Sequence, residues 1–312
     1  MVSHSATAQS GIEVVGVRRA FDTVLAVDEI SLVAHPGEVT ALVGPNGSGK
    51  TTLLLMLATL LVPDQGSIRI AGLDPVTAPR AVRAQVGWMP DGFGTWDVMT
   101  VREVLQIVGA AFNLSTQDAN QRIGTLLDLV HLDDLADRPA RVLSRGQKQR
   151  LGLARALIHD PSVLLLDEPA SGLDPRSRIE LRDILRSLAE SGKTVLVSSH
   201  ILTELQEVAD RAVIVARGRT VATQDMATDT MRAAAGRWRI VSLDPDPLSA
   251  WLDEHQVPMI PGVNGTEVEV VGEEGAARLL GELVSAGLRI TTFAPTQGAL
   301  ETAYLAATED RR

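Results

Sequence analysis

Cysteine is missing altogether from this 312-residue sequence, which excludes a disulfide framework, a thiolate metal site and a cysteine nucleophile, and fits a reducing compartment. The six histidines fall at no metal-ligand spacing. Positive charge is short: 29 Lys and Arg against 39 Asp and Glu leave a formal net charge of -10. That balance opposes binding to nucleic acid, whose phosphate backbone draws proteins mainly through basic surface. Long hydrophobic runs are also missing. The longest, Leu53 to Val62, has ten residues, against about 20 for a membrane-spanning helix. Met1 to Ser10 lacks the basic stretch followed by an apolar one that marks a secretory signal, so the expected location is the cytosol.

What is present is ordinary for a folded chain, at 45% hydrophobic and 22% charged residues, and long enough for one large α/β domain plus a smaller appendage. Short apolar or alternating runs at Ile12 to Val17 and Ile30 to Val33, parted by turn-formers at Asp22 and His35-Pro36-Gly37, predict strands. Further strands are expected at Gly66 to Ile70 and Val86 to Met89. Between Thr100 and Ile158 the apolar spacing turns helical, and Thr100 with Glu103 forms a capping box. From Ser162 strand and helix alternate: Val163 to Leu166, Asp174 to Ala189, Thr194 to Ser198, Ile201 to Asp210, Ala212 to Ala216. That alternation predicts a parallel sheet with helices on its faces. Beyond about Met226 the expected order is strand, helix, strand, strand, helix, strand, the ferredoxin-like βαββαβ unit.

Gly44-Pro45-Asn46-Gly47-Ser48-Gly49-Lys50-Thr51 fits the phosphate loop G-x-x-x-x-G-K-[ST], and the apolar run Val39 to Val43 before it and the helix through Thr52 after it supply the required context. Glycines let successive N–H groups turn toward phosphates, and the helix N-terminus adds partial positive charge. Lys50 is expected on the β- and γ-phosphates and Thr51 on Mg²⁺. Val163-Leu164-Leu165-Leu166-Asp167-Glu168 is an apolar strand ending in two acids. Asp167 suits Mg²⁺ through its water shell, and Glu168 suits the orientation or deprotonation of an attacking water. Alone, such a run is more often a strand before a turn; beside a phosphate loop that reading loses its weight.

Leu143-Ser144-Arg145-Gly146-Gln147 precedes the acidic strand and resembles the LSGGQ signature of ABC ATPases, with Arg145 in place of the first glycine. Ser144 with Gln147 is also a capping box opening the helix Lys148 to Ile158, and a capped helix N-terminus is an anion site. The resemblance implies that Ser144, Gly146 and Gln147 cover the γ-phosphate of ATP held by the opposite subunit. It also likens Ser171-Gly172-Leu173-Asp174 to the D-loop at the dimer interface, although Asp174 is equally a helix start. His200 is similar to the switch histidine on the γ-phosphate, and Phe21 to the aromatic that stacks on adenine, with a core phenylalanine as its alternative. Where the family usually has Gln, this sequence reads Pro90-Asp91-Gly92, so Asp91 is either a charged Mg²⁺ ligand or a turn residue.

The implied fold is an α/β P-loop NTPase of ABC type with an antiparallel β subdomain and a helical subdomain, plus a small C-terminal α+β, ferredoxin-like domain. Its expected bounds are 11–225 for the ATPase, about 95–158 for the helical part and 237–312 for the accessory domain. ATP and Mg²⁺ are the implied cofactors. The implied partners are an integral-membrane permease and a second ATPase subunit, in a homodimer or heterodimer, on the cytoplasmic face of the cell membrane. Gly298 to Leu305 is similar to a closing segment of ABC-2 type exporter ATPases, or is simply an amphipathic helix. An importer remains an alternative because importers and exporters share the ATPase core. A translation factor would carry two ATPase units and a basic linker, and a DNA-repair ATPase a coiled coil or zinc modules; the sequence has neither.

Overall fold

The computed structural model describes residues 11–92, 94, 98–200, 208–226, 237–262, 265–270 and 272–295. They divide into two compact units, with the break between Thr223 and Gln224. The first is built on a nine-stranded sheet. It begins with the antiparallel strands β1 (Ile12–Phe21) and β2 (Val24–Ala34), joined through Asp22 in a left-handed turn at φ 48°. β4 (Gln65–Ile70) pairs with the other side of β1. Both long strands run past the segments their alternation predicts. Register shifts between Val14 and Val17 and again before Arg19 and Ala20 show bulges, which break the period of two without ending the pairing.

The other half of this sheet is parallel. β3 (Val39–Val43), β5 (Val86–Met89), β6 (Val163–Asp167), β7 (Thr194–Ser199) and β8 (Arg211–Ala216) lie in the order β8-β3-β7-β6-β5. Residues of β3, β6 and β7 are buried throughout, as strands covered on both faces must be, which is why they read as unbroken apolar runs. α1 (Lys50–Leu57) follows β3, and α6 (Pro175–Glu190) precedes β7. Two elements were not legible. α2 (Pro79–Gln85) is short, and β9 (Arg219–Asp225) has no fully buried residue to mark a core face. β9 follows β8 through Arg217 and Gly218, both at positive φ, the turn whose twist suits a hairpin.

Among the described residues the inserted segment carries three α-helices: α3 (Val101–Ala111), α4 (Thr116–Leu129) and α5 (Arg145–Leu157). The capping boxes at Thr100 with Glu103 and at Ser144 with Gln147 are both formed. α5 therefore starts at Arg145, immediately after its cap, earlier than the expected Lys148. Part of the expected helix Ile201 to Asp210 lies outside the described residues, as does the Gly298 to Leu305 segment.

The second unit contains β10 (Arg237–Ser242), α7 (Pro245–Glu254), β11 (Met259–Gly262), β12 (Gly265–Glu269), α8 (Gly272–Ser285) and β13 (Ile290–Pro295). Its sheet has the order β11-β12-β10-β13, with β10 antiparallel to β12 and β13 and β11 antiparallel to β12, which is the ferredoxin-like arrangement. The core joins Ile240 and Val268 of the sheet to Leu248, Leu252, Leu279 and Leu283 of the two helices.

Leu165 is fully buried in the middle of β6. Leu165→Ala is expected to cost about 2–5 kcal/mol through lost burial and a residual cavity. Ile179→Ala, at a side chain on α6 that is 50% exposed, should stay within about 0.5 kcal/mol. Chemical denaturation of the two variants checks the difference.

Candidate nucleotide site

The loop from Gly44 to Gly49 emerges from the buried strand β3 and delivers its last residues into α1. Gly47 and Gly49 sit at φ 77° and 101°, a region that side-chain-bearing residues avoid. A Cβ at Gly49 would come within 2.6 Å of the Ala26 carbonyl oxygen, so only glycine lets the loop pass this close to β2. Gly49 is the N-cap of α1 and has no side chain to satisfy the first N–H groups. Those donors remain for an anion at the positive end of the helix.

A cavity of about 360 Å³ lies over this loop. Asn46, Gly47, Gly49, Lys50, Thr51 and Thr52 line it, together with Asp91, Glu168 and Val24, Leu25 and Ala26 of β2. The three β2 residues are a contact that motif reading missed; only the closeness of β2 to Gly49 brings them there. Phe21 does not line the cavity. It faces Val24 across the β1–β2 turn, is 40% exposed, and has the Arg19 guanidinium 5.0 Å above its ring. Gly44, Pro45 and Ser48 form the frame of the loop: Lys50 Nζ donates to the Gly44 carbonyl at 2.7 Å and to Pro45 at 3.3 Å, and Ser48 is buried.

Lys50 is 6% exposed. Burial pulls its ammonium below the usual lysine range, while Glu168 and then Asp167 pull it back. Glu168 Oε1 stands 3.8 Å from Nζ. Phosphate oxygens brought to this lysine would add to the carboxylates in favouring the charged form.

The two acids at the end of β6 have different surroundings. Asp167 is 2% exposed, and its two oxygens accept from Ser198 Oγ at 2.5 Å and Thr51 Oγ1 at 2.9 Å. Glu168 adopts a left-handed backbone at φ 50°, which costs roughly 1–3 kcal/mol for a non-glycine residue. Its N–H donates to Ser198 Oγ at 3.0 Å and its carbonyl accepts from the Ser171 N–H at 3.0 Å. Its carboxylate meets His200 Nδ1 at 2.8 Å. Ser198 was not singled out by sequence, although a serine closing an apolar strand beside two acids was the available signal.

Asp91, Thr51 and Asp167 offer only hard oxygen donors, the chemistry that suits Mg²⁺. Among the described residues no group of three or more His, Asp or Glu is arranged to hold a metal. An Mg²⁺ ion held by these oxygens would be completed by substrate oxygens and water, its usual manner.

Ser144, Gly146, Gln147 and Asp174 are brought together elsewhere, and none lines the cavity. Ser144 Oγ accepts from the Gln147 N–H at 3.3 Å, and Gln147 Oε1 accepts from the Ser144 N–H at 2.9 Å. A Cβ at Gly146 would meet Leu173 Cδ2 at 3.3 Å. Asp174 caps α6 through Ser177, whose hydroxyl donates at 2.7 Å and whose N–H donates at 3.1 Å. These bonds, the hydroxyl's first, hold the Asp174 carboxyl below its ordinary range.

The geometry has counterparts in known proteins. The ABC transporter family profile matches residues 27–171. A Nod factor export ATP-binding protein I of Paraburkholderia xenovorans (strain LB400) is 36% identical over 260 residues, covering 83% of this chain and 84% of the relative. The protein of the same name from Burkholderia lata is 41% identical over 206 residues, covering 66% and 68%. Among solved structures, an ATP-binding subunit of an ABC transporter superposes with TM-score 0.64 at 28% identity, over 71% of this chain and 91% of its own. A dimeric bacterial ABC transporter cassette gives 0.63 at 25%, over 69% and 98%. With likeness sustained over most of a relative's length, and over a loop and acid pair already joined in space, this chain belongs to the ABC transporter family as an ATP-binding subunit, an ATPase coupled to transport.

Proposed function

We propose that this subunit powers export through a membrane permease of the ABC-2 type, hydrolysing ATP at a site shared between two ATPase subunits. The observation that carries the shared site is the separation of its two halves: the loop, Lys50 and Glu168 line the cavity, while Ser144, Gly146 and Gln147 do not. A second subunit is the simplest source of the missing cover. Export is favoured over import because the relatives just described are named as export proteins.

In this reading Lys50 neutralises the β- and γ-phosphates, and the loop N–H groups hold their oxygens. Glu168 orients the water and takes its proton, with His200 fixing the carboxylate through the 2.8 Å contact. Mg²⁺, held by Thr51, Asp167 and Asp91, would supply charge neutralisation to the phosphates when bound. Phe21, at the turn beside Val24, is assigned to the adenine. Residues 11–225 constitute the catalytic unit, and 237–312 an accessory domain for dimer support or regulation. A groove of about 480 Å³ between α2, β5 and the ends of α3 and α5 presents Arg80, Arg83, Arg155, Trp88 and Phe112. Its arginines, in a chain of net charge -10, suit a permease segment rich in acidic or carbonyl groups. That contact would seat the chain on the cytoplasmic face of the membrane.

Lys50→Ala is expected to lower ATP turnover at least about 100-fold with the fold intact. Phosphate release and circular dichroism check it, and turnover near that of the unaltered chain removes the assignment.

Glu168→Gln should slow hydrolysis by roughly 10²–10⁴-fold while ATP still binds. The bound γ-phosphate then joins two subunits, so light scattering should find a dimer with ATP and a monomer with ADP, and Ser144→Arg should abolish the dimer. Measured both alone and with the permease, a variant that binds ATP and never associates would falsify the shared site.

Asp91→Gln should preserve Mg²⁺-dependent turnover, and Asp91→Asn should shift the Mg²⁺ requirement upward by about tenfold or less. Identical Mg²⁺ titrations for all three proteins would leave Asp91 as a turn residue only.

A further inference from the structure

Arg145 is the first residue of α5 and stands where the resembled signature carries a glycine. Its side chain does not extend free into solvent. Nη2 donates to Ser171 Oγ at 3.2 Å, and the guanidinium covers Gly172, where a Cβ would fall 2.6 Å from both Cζ and Nε. Gly172 is at φ 70°, a left-handed backbone that favours glycine, and the guanidinium rests in the space its missing side chain leaves.

Ser171 is also the residue whose N–H closes the turn back to the Glu168 carbonyl at 3.0 Å, and the Leu173 N–H closes the next turn to Ala170 at 3.2 Å. Contacts therefore run from α5 through the guanidinium to Ser171, and through the turn to the carbonyl of Glu168, a residue at φ 50° whose N–H is held separately by Ser198 Oγ. A glycine at 145 would offer no side chain for the first of these links. We propose that Arg145 is a positioning residue for hydrolysis, pinning the Glu168–Leu173 turn to α5 of the same subunit, so that the carboxylate's presentation follows the position of α5. The inference rests on the reading of Glu168 as the water-orienting group. Arg145 itself does not line the nucleotide cavity.

The test uses full-length Arg145→Ala, Arg145→Lys, Ser171→Ala and the Arg145→Ala/Ser171→Ala double variant. Steady-state ATP hydrolysis and amide hydrogen exchange of the nucleotide-free protein are the two readouts. Arg145→Ala is expected to lower kcat about tenfold with KM for ATP within about twofold. Ser171→Ala should lose less, and the double variant no more than Arg145→Ala alone, because both remove one link. Arg145→Lys should recover part of the rate, since an ammonium reaches the hydroxyl but has no plane to lay over Gly172. Exchange at the Ser171 and Leu173 amides should rise about tenfold in Arg145→Ala while amides of β6 are unmoved. Unchanged exchange at those two amides overturns the pin. Losses that multiply in the double variant also overturn it, and assign the arginine to a contact in another subunit. Exchange needs no turnover: an unaltered chain that never hydrolyses ATP rejects the reading of Glu168, whereas normal hydrolysis with unmoved exchange rejects the pin alone.

Discussion

A carboxylate that is 2% exposed at the end of a buried strand is the constraint around which this site is organised. Left unbonded, a charge so far from water carries a large desolvation cost. Asp167 avoids this by taking one hydroxyl from β7, at Ser198, and one from α1, at Thr51. The two bonds tie three elements to one point. They depend on strand register, since Asp167 lies opposite Ser198 in the β6–β7 pair and Leu42 opposite Ser198 in the β3–β7 pair. A slip of one residue would turn the serine to the other face of the sheet. Ser198 then serves a second purpose, accepting the N–H of Glu168 and so stabilising that residue's unfavourable backbone. Asp167 and Glu168 are thus both held by the Ser198 hydroxyl, and Thr51 ties the start of α1 to the same carboxylate.

The inserted helices are attached to the core by a different set of contacts. Arg150 joins α5 to Ser177 and Glu180 of α6, and Gly146 leaves just enough room for Leu173. Asp174 satisfies the first turn of α6. The cluster therefore behaves as a polar seam between α5 and the start of α6, distinct from the nucleotide cavity and joined to it through the turn after Glu168. The second unit stands on its own core, in which sheet residues such as Ile240 pack on Leu252 and Leu283.

Much of this was legible because the relevant signals are local. The phosphate loop, both capping boxes and the wholly apolar strands are written in consecutive residues, and the alternation beyond Arg237 was enough to order six elements. What escaped notice lacked a local signal. β9 carries polar residues on both faces and so shows no buried stripe; β1 hides its length behind bulges. Val24, Leu25 and Ala26 look like any strand residues until β2 passes beside Gly49.

The amino-acid sequence by itself determined the chemistry available: a lysine on a glycine loop, two adjacent acids at a strand end, a serine-capped helix, and the order in which they follow one another. Each of these is a property of neighbouring residues, governed by backbone sterics and periodicity, and needs no knowledge of distant contacts. Tertiary structure alone decided which groups meet. It brought Ser198 to Asp167 and His200 to Glu168 across 31 and 32 residues, and seated Arg145 on Gly172. It also kept the signature cluster away from the cavity within the chain. The physical reason is that hydrogen bonds and ion pairs act over about 3–4 Å, a separation that strand register and helix packing set and residue order does not.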